Sequence, residues 1–374
     1  MASDLEEGAV LSDVHIDVHP SNQNSLGELA LTVFHFTVPQ TDISSSDSED
    51  GSDSEETHEP KAKRLKTAED SVCVDEDGDL VLRRPKPNCK PEMEVRIQHA
   101  MATPLDTVGL QVWRGALLMC DFILHNQDIF KSHSILELGG GVGLVSIVAG
   151  AVGASKVFCT DIGDRLLELC RDNVLKNQHL FEPSSDGKVR VKKLDWLEKG
   201  IPEVCETGKC LKSPSEWSTA DLENIEKNVD ILLAADIAYD NDLTDGFFKS
   251  VFDLMTRGRP KTLYVALERR YNFTLEDLDV TCKSYDHFRK CLCDLEGEYY
   301  ECTEDSGSTS VWSKVTESQS GGKGQRSMPL KCLKVMSEQV STDLPCYSDY
   351  ARVKELELWK VNSTFLPLDS DHKS

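Results

Sequence analysis

The stretch from Ser134 to Leu144 constrains the fold more than any other part of the chain. It begins as an apolar strand, carries a carboxylate at Glu137 and then passes through glycines before helical spacing resumes at Leu144. These glycines are Gly139, Gly140, Gly141 and Gly143. Glycines at this spacing let the backbone adopt positive φ and let a ligand approach the main chain closely. The stretch therefore predicts a strand, a ligand-binding loop and a helix in an α/β fold.

The spacing of the glycines distinguishes between cofactors. The dinucleotide pattern G-x-G-x-x-G, started at Gly139, would need its third glycine where Leu144 stands. That glycine is the one that lets helix and strand pack closely, so a dinucleotide is disfavoured. The pattern that fits is E-x-G-x-G-x-G, from Glu137 to Gly143. A glycine-rich turn without a ligand stays open as the alternative, because short glycine patterns are weak on their own.

Two further strands end in side chains suited to an adenosine. The second strand ends at Asp161, about 22 residues after Gly139, where nucleotide-binding βαβ units place an acid that accepts hydrogen bonds from ribose hydroxyls. The third strand ends in Asp195 and Trp196. An aspartate can accept from the adenine amino group and an indole can cover the ring. Alternatively, Trp196 only covers the edge of the sheet.

The remaining strands complete a parallel sheet. The run from Val229 to Ala235 is almost continuously apolar, as expected of a central parallel strand, and it leads to Asp236 and Tyr239. A fifth strand follows at 262–267, and the alternating run at 355–361 predicts the final strand. Trp113 starts an apolar helix that should pack beneath the glycine loop. It is either a ligand contact or an ordinary core aromatic residue.

The four residues from Asp236 to Tyr239, D-I-A-Y, resemble the (D/E)-x-x-(Y/F) signature of the protein-lysine branch of the seven-β-strand S-adenosylmethionine-dependent methyltransferases. That family also has a tryptophan before the glycine loop, an acid after the second strand and an Asp-Trp pair after the third. These features stand here, in the same order, as Trp113, Glu137 to Gly143, Asp161, and Asp195 with Trp196. The resemblance covers roughly residues 95–361.

The resemblance implies a Rossmann-like, seven-stranded, mostly parallel sheet with helices on both faces and an antiparallel last strand. It implies S-adenosyl-L-methionine as cofactor, with no metal, and a protein lysine as methyl acceptor. The implied cofactor-binding residues are Trp113, Glu137, Gly139, Gly141, Gly143, Asp161, Asp195, Trp196 and Ala235. Asp236 would capture and position the lysine ammonium, and Tyr239 would form one wall and offer a hydroxyl or cation–π contact. Asp236 could also cap the helix that follows it.

The N-terminal part of the chain differs in composition from the rest. Two alternating runs within residues 1–40 predict a β extension, either a hairpin or a pair of edge strands on the main fold. The run from Thr41 to Glu59 is acidic and rich in serine, which predicts a disordered tether. The basic cluster from Lys61 to Lys66 suits importin recognition, so a nuclear protein with a cytoplasmic pool is expected.

These patterns divide the chain into four predicted regions. They are residues 1–40 (strand pair or extension), 41–92 (acidic linker with the basic cluster), 93–366 (methyltransferase domain with a flexible insertion at about 303–330) and 367–374 (tail).

Composition limits the classes of partner. The chain has 65 acidic and 41 basic residues, a net charge of −24, which disfavours direct nucleic-acid binding. It has no apolar run of ~18 residues, so no membrane span is expected. Its 13 cysteines lack a paired Cys-x-x-Cys pattern, and no apolar segment follows the N-terminus, so free thiols of the cytosol or nucleus are favoured.

Three other functions compete with methylation of a lysine in a nuclear, non-histone protein. Methylation of nucleic-acid bases is disfavoured, since Ile237 and Ala238 supply no proline-rich platform for a flipped base. A small-molecule methyltransferase stays open. So does a catalytically silent S-adenosylmethionine-binding module that holds a basic nuclear partner through the acidic tether.

Overall fold

The computed structural model describes residues 10–12, 14, 29–39, 73–74, 80–81, 92–183, 187–198, 201, 213–274, 279–304, 310–314 and 331–366. In chain order its strands are β1 (Val10–Leu11), β2 (Leu29–Thr37), β3 (Cys73–Val74), β4 (Leu80–Val81), β5 (Glu92–Ala100), β6 (Ala102–Thr103), β7 (Ser134–Leu138), β8 (Lys156–Asp161), β9 (Val189–Lys193), β10 (Val229–Ala235), β11 (Thr262–Glu268), β12 (Asn272–Thr274), β13 (Asp279–Thr281), β14 (Gly297–Glu304), β15 (Ser310–Lys314), β16 (Lys331–Val340) and β17 (Leu356–Leu366).

The helices of the described residues are α1 (Arg114–His125), α2 (Gln127–Phe130), α3 (Leu144–Ala151), α4 (Asp164–Lys176), α5 (Thr219–Lys227), α6 (Asn241–Thr256) and α7 (Lys283–Leu295), with short 3-10 helices at Leu105–Leu110 and Gln178–Leu180. Backbone contacts group the chain into two units, Met1–Phe36 with Met93–Ser374, and Thr37–Glu92. The described part of the smaller unit contains the antiparallel pair β3 and β4. The predicted tether at 41–59, the basic cluster at 61–66 and the tail at 367–374 lie outside the described residues.

A mixed sheet forms the centre of the larger unit. Its strand order is β15-β14-β16-β17-β11-β10-β7-β8-β9, and the run from β11 to β9 is parallel. The last strand, β17, lies antiparallel to β11, as predicted. The predicted Rossmann-like sheet is therefore confirmed, and in the described residues the hairpin of β14 and β15 extends it beyond seven strands. The segment predicted as a flexible insertion thus contributes β15, while 315–330 lie outside the described residues.

The central strands are apolar because helices cover both of their faces. All five residues of β7 are buried, which is typical of a parallel strand between two helical layers. Leu136 and Leu138 belong to the same core cluster as residues of α5, α6 and α7. On the other face α1 packs against β11, where the rings of Phe122 and Tyr264 lie 5.0 Å apart. The sheet with helices on both faces is therefore confirmed.

The N-terminal strands pair with the segment that leads into the domain. β1 pairs antiparallel with β6, and β2 pairs with β5. The predicted hairpin is therefore wrong, whereas strands added to the main fold are present. The Ser12 amide anchors this addition by donating to the Met101 carbonyl oxygen at 2.9 Å. The amide of Gln111 donates from Nε2 to the Val10 carbonyl oxygen, also at 2.9 Å.

The stretch Leu105–His125 is long and apolar enough to cross a membrane by length and composition alone. It is mostly buried inside the domain and packs against α3, β10, β11 and β17. Trp113 is extended, with φ −117° and ψ 155°, and residues 111–113 separate the 3-10 helix from α1. Core packing therefore accounts for the apolar character of this stretch.

Candidate active site

A cavity of about 890 Å³ lies at the carboxyl ends of the parallel strands, where open α/β sheets bind ligands. Nearly every residue predicted for the site lines it. These residues are Trp113, Glu137, Gly139, Gly141, Asp161, Asp195, Trp196, Ala235, Asp236 and Tyr239. The exception is Gly143, which lies outside the lining and forms the N-cap of α3. The structure therefore brings the two predicted groups, cofactor-binding and catalytic, to one cavity.

The glycine loop is shaped for close approach of another group. Gly141 has φ +53°, and a Cβ atom placed there would lie 3.0 Å from the Gly109 carbonyl oxygen. Gly143 has φ +93°, and a Cβ atom there would lie 2.8 Å from Cys170 Sγ. Both positions favour glycine, since L-residues with side chains rarely adopt positive φ. Gly143 therefore shapes the start of α3, whereas Gly141 shapes the cavity itself.

Asp161 joins the glycine loop to the end of β8. Its Oδ2 accepts from the Gly141 amide at 2.8 Å, and its Oδ1 accepts from the Ile162 amide at 2.7 Å. Burial raises the pKa of Asp161 to about 6, although both hydrogen bonds favour the charged form. Each carboxylate oxygen has two lone pairs, so the side chain can accept further hydrogen bonds from a ligand.

Glu137 is almost fully buried at the end of β7, with 1% of its surface exposed. Its Oε2 accepts from Ser146 Oγ, and burial raises its pKa to about 7, with a smaller contribution from the charge of Asp161. The carboxyl group is therefore poised between its two protonation states near neutral pH.

This raised pKa makes the stability of the ligand-free protein depend on pH. In the unfolded chain Glu137 loses its proton near its ordinary value of 4.5, but in the folded chain only near 7. Stability must therefore fall as pH rises between those values, by about 3 kcal/mol for this group alone. We expect the melting temperature of the wild type minus that of Glu137→Gln to decrease as the pH rises from about 5 to 7.5. A constant difference across that range would contradict the burial of an ionisable carboxyl group.

Two tryptophans border the cavity and also pack on the protein. Trp113 donates from Nε1 to the Val108 carbonyl oxygen at 3.1 Å, and the Arg270 guanidinium lies 4.5 Å from its ring centre. Trp196 packs edge-on to Phe247 at 5.3 Å and beside Gly139. Both tryptophans therefore line the cavity and pack on neighbouring groups of the protein, while the ligand contact predicted for each stays a prediction.

Asp236 connects three elements at the end of β10. Its Oδ2 accepts from the Gly115 amide at 2.7 Å, and its Oδ1 accepts from the Glu268 amide at 2.9 Å. Its own φ is +50°, which is uncommon for a residue other than glycine. Asp236 thus caps the first turn of α1 from another element. The predicted cap of the following helix is wrong, because α6 is capped by Asp240, which accepts from the Leu243 amide at 2.9 Å.

Charged residues around Asp236 complete a network that was not predicted from the sequence. Arg114 Nη1 lies 2.6 Å from Glu268 Oε1, and both side chains are largely buried. Arg270 Nη2 lies 3.5 Å from the other oxygen of Glu268. The charged run from Glu268 to Arg270, at the end of β11, is the sequence feature that could have indicated this network. Arg114, the partner of Glu268 in α1, comes from a distant part of the chain.

The approach of Asp236 to α1 depends on a glycine, which gives a test of this contact. A Cβ atom at Gly115 would lie 2.6 Å from Asp236 Oδ2. Alanine normally stabilises a helix relative to glycine by up to ~1 kcal/mol, yet we expect Gly115→Ala to destabilise this protein by ~1–3 kcal/mol. In the Asp236→Ala background the same change should become neutral or stabilising. Additive effects in a double-mutant cycle of denaturation would contradict the contact.

Tyr239 forms an exposed part of the cavity wall, with 40% of its surface accessible. Partial burial and the charges of Asp161 and Asp240 raise its pKa to about 12. The phenol therefore keeps its proton at neutral pH and can donate a hydrogen bond. Ser284 and Tyr285, from the first turn of α7, line the same cavity and were not singled out from the sequence.

This arrangement places the glycine loop and Asp161 beside Asp236 and Tyr239, in one cavity at the edge of a Rossmann-like sheet. Residues 90–211 match the family model described as lysine methyltransferase. The match includes Trp113, the glycine loop, Asp161 and Trp196. It ends before Asp236 and Tyr239.

Curated relatives extend the similarity along the chain. The chain is 38% identical to methyltransferase-like protein 22 of Mus musculus over 292 residues, which cover 78% of this chain and 64% of the relative. It is 41% identical to the Homo sapiens protein of the same name over 268 residues, 71% of this chain and 57% of the relative. A protein-lysine N-methyltransferase of Chaetomium thermophilum, EFM3, is 24% identical over 196 residues, 52% of each chain. The chain thus spans about three fifths of the length of its first two relatives.

Proposed function

We propose that this chain transfers a methyl group from S-adenosylmethionine to the side chain of a protein lysine. The observation that carries the proposal is the shared cavity, in which the glycine loop and Asp161 lie beside Asp236 and Tyr239. The match to the lysine methyltransferase family and the names of the relatives support the same reaction.

The residues present fit the proposed cofactor. Asp161 would accept from the ribose hydroxyls, Asp195 from the adenine amino group, and Trp196 would cover the ring. The glycine loop, with Gly141 where a side chain would collide, leaves room for the methionine part. When bound, the cofactor supplies an electrophilic methyl group on a sulfonium.

The proposed role of Asp236 is to attract and orient the ammonium group of the substrate. A lysine at its ordinary pKa of about 10.4 is protonated and has no lone pair for an in-line displacement. The charge of Asp236 opposes the loss of that proton, so Asp236 acts in capture and not as a strong base. Two backbone amides hold its carboxylate in place. The proton passes to water, and alignment of the two reactants supplies much of the acceleration.

We further propose that the substrate is a non-histone protein of the nucleus. The basic cluster at 61–66 would engage an importin, and the acidic tether at 41–59 would favour basic partners. This part of the proposal is supported by the sequence alone.

The reaction can be tested with the purified chain, S-adenosylmethionine labelled in its methyl group, and a nuclear extract. We expect label in protein, recovered as methylated lysine after hydrolysis, and mass spectrometry would then locate the residue. If the chain binds the cofactor but transfers no label, the proposal is wrong and the chain is a catalytically silent binding module. If label appears only in small molecules, the chain is a small-molecule methyltransferase.

A further inference from the structure

A second cluster of reactive side chains lies between α6 and α7, outside the cavity described above. Asp245 Oδ1 lies 2.8 Å from His287 Nε2 and 3.2 Å from Cys291 Sγ, and that sulfur lies 3.5 Å from the same His287 nitrogen. His287 and Cys291 are four residues apart on α7, so they share one face of the helix. Asp245 comes from α6, so spacing along the sequence does not predict the cluster.

We propose that Asp245, His287 and Cys291 bind a divalent transition-metal ion, with zinc as the best fit. Thiolate, imidazole and carboxylate are the ligand types that zinc uses in proteins. Calcium and magnesium prefer sites made of oxygen atoms, so they fit this set poorly. All three ligand atoms lie within 4.8 Å of one another.

The distances agree with coordination to a single ion. A tetrahedral zinc ion separates its nitrogen, oxygen and sulfur ligand atoms by roughly 3.3–3.6 Å at ordinary bond lengths. The observed separations are 2.8 Å between nitrogen and oxygen, 3.2 Å between sulfur and oxygen, and 3.5 Å between sulfur and nitrogen. The nitrogen–oxygen pair would have to open by about half an ångström, the sulfur–oxygen pair by less, and the sulfur–nitrogen pair hardly at all. The side chain of Asp245 is 61% exposed, so it can make this adjustment without moving packed atoms.

The cluster also leaves room for a further ligand. Asp245 and Cys291 line a shallow cavity of about 370 Å³ together with Asp294. A water molecule can occupy the fourth position from that side. Metal uptake converts the Cys291 thiol to a metal-bound thiolate and releases one proton to solvent, so no oxidant or reductant is required.

An ion at this position would fasten two helices that border the main cavity. α6 begins two residues after Tyr239, and the first turn of α7 supplies Ser284 and Tyr285 to the cavity wall. Phe248 and Phe288 pack between the two helices with ring centres 5.5 Å apart. An influence of the ion on methyl transfer would depend on the proposed function, whereas metal binding itself does not.

The site can be tested by titrating tag-free, metal-stripped protein with Co²⁺, since a cysteine ligand gives a sulfur-to-cobalt charge-transfer absorption. We expect one equivalent of Co²⁺ to produce this band and Zn²⁺ to displace it. Cys291→Ser should weaken binding at least ~10- to 100-fold, the loss seen when even the partners of metal ligands are changed. Cys293→Ser is the matched control, because Cys293 is an exposed cysteine of the same helix.

A second measurement guards against loss of folding in the variant. Zn²⁺ should raise the melting temperature of the wild type and of Cys293→Ser, but not of His287→Gln. The proposal is overturned by the absence of a cobalt band in the wild type. It is equally overturned by an unchanged titration in Cys291→Ser and His287→Gln, or by an equal loss in Cys293→Ser.

Discussion

Replacing Asp236 with asparagine is expected to lower the rate of methyl transfer by ~100-fold or more, while the affinity for S-adenosylmethionine stays within about threefold of the wild-type value. Asparagine keeps the size of the side chain and one acceptor oxygen, so one of the bonds from Gly115 and Glu268 can persist. It removes the negative charge that would attract the substrate ammonium. The labelled-transfer assay and calorimetric titration of the cofactor measure the two quantities separately.

Asp240→Asn is the matched control for this change. Asp240 caps α6, lies outside the cavity lining and tolerates asparagine, since asparagine is an equally good N-cap residue. We expect this variant to retain transfer. If Asp236→Asn also retained transfer, or lost cofactor binding to the same extent as transfer, Asp236 would have no role in capturing substrate.

Replacing Gly141 with valine is expected to weaken cofactor binding by at least ~100-fold, because two effects, backbone strain and a close contact, combine at this position. The backbone has φ +53°, a β-branched residue is strained there by ~1–3 kcal/mol, and the new Cβ atom would lie 3.0 Å from the Gly109 carbonyl oxygen. The loop must therefore move, and its amide would no longer reach Asp161 in the same geometry. Calorimetry with S-adenosylhomocysteine, together with the shift in melting temperature that it causes, measures the loss.

Gly187→Val is the control that distinguishes the effect of local backbone strain from the effect of a damaged cofactor site. Gly187 has φ +71°, lies outside the cavity lining, and no heavy atom lies within 4 Å of a Cβ placed there. The variant should lose some stability and keep its affinity for the cofactor. Unchanged binding by Gly141→Val, or equal loss in both variants, would contradict the assignment of the glycine loop as a cofactor cradle.

The strands and their ends could be predicted because local pattern determines them. Parallel strands buried on both faces give continuous apolar runs, and the residue after each run lies at the ligand-binding edge. For that reason Asp161, Asp195 and Asp236 were placed correctly around one cavity. The glycine spacing gave the loop, although Gly143 belongs to the helix start and not to the cavity wall.

The contacts between distant segments could not be predicted in this way. The apolar run at 29–38 predicts a strand, but its partner, β5, is decided by which apolar edge is available in the folded domain. Between Thr274 and Leu295 the antiparallel pairing of β12 with β13 precedes α7, which begins only at Lys283. The partners of Asp236 lie 121 and 32 residues away along the chain. Only the fold brings them together.

The central claim is that this cavity holds S-adenosylmethionine with its reactive end toward Asp236 and Tyr239. A crystal structure of the chain with S-adenosylhomocysteine tests it most directly. We expect the ribose hydroxyls at Asp161, the adenine ring against Trp196 with its amino group at Asp195, and the sulfur facing Asp236 and Tyr239. A ligand bound outside the cavity, or one whose sulfur faces away from those two residues, would contradict the claim.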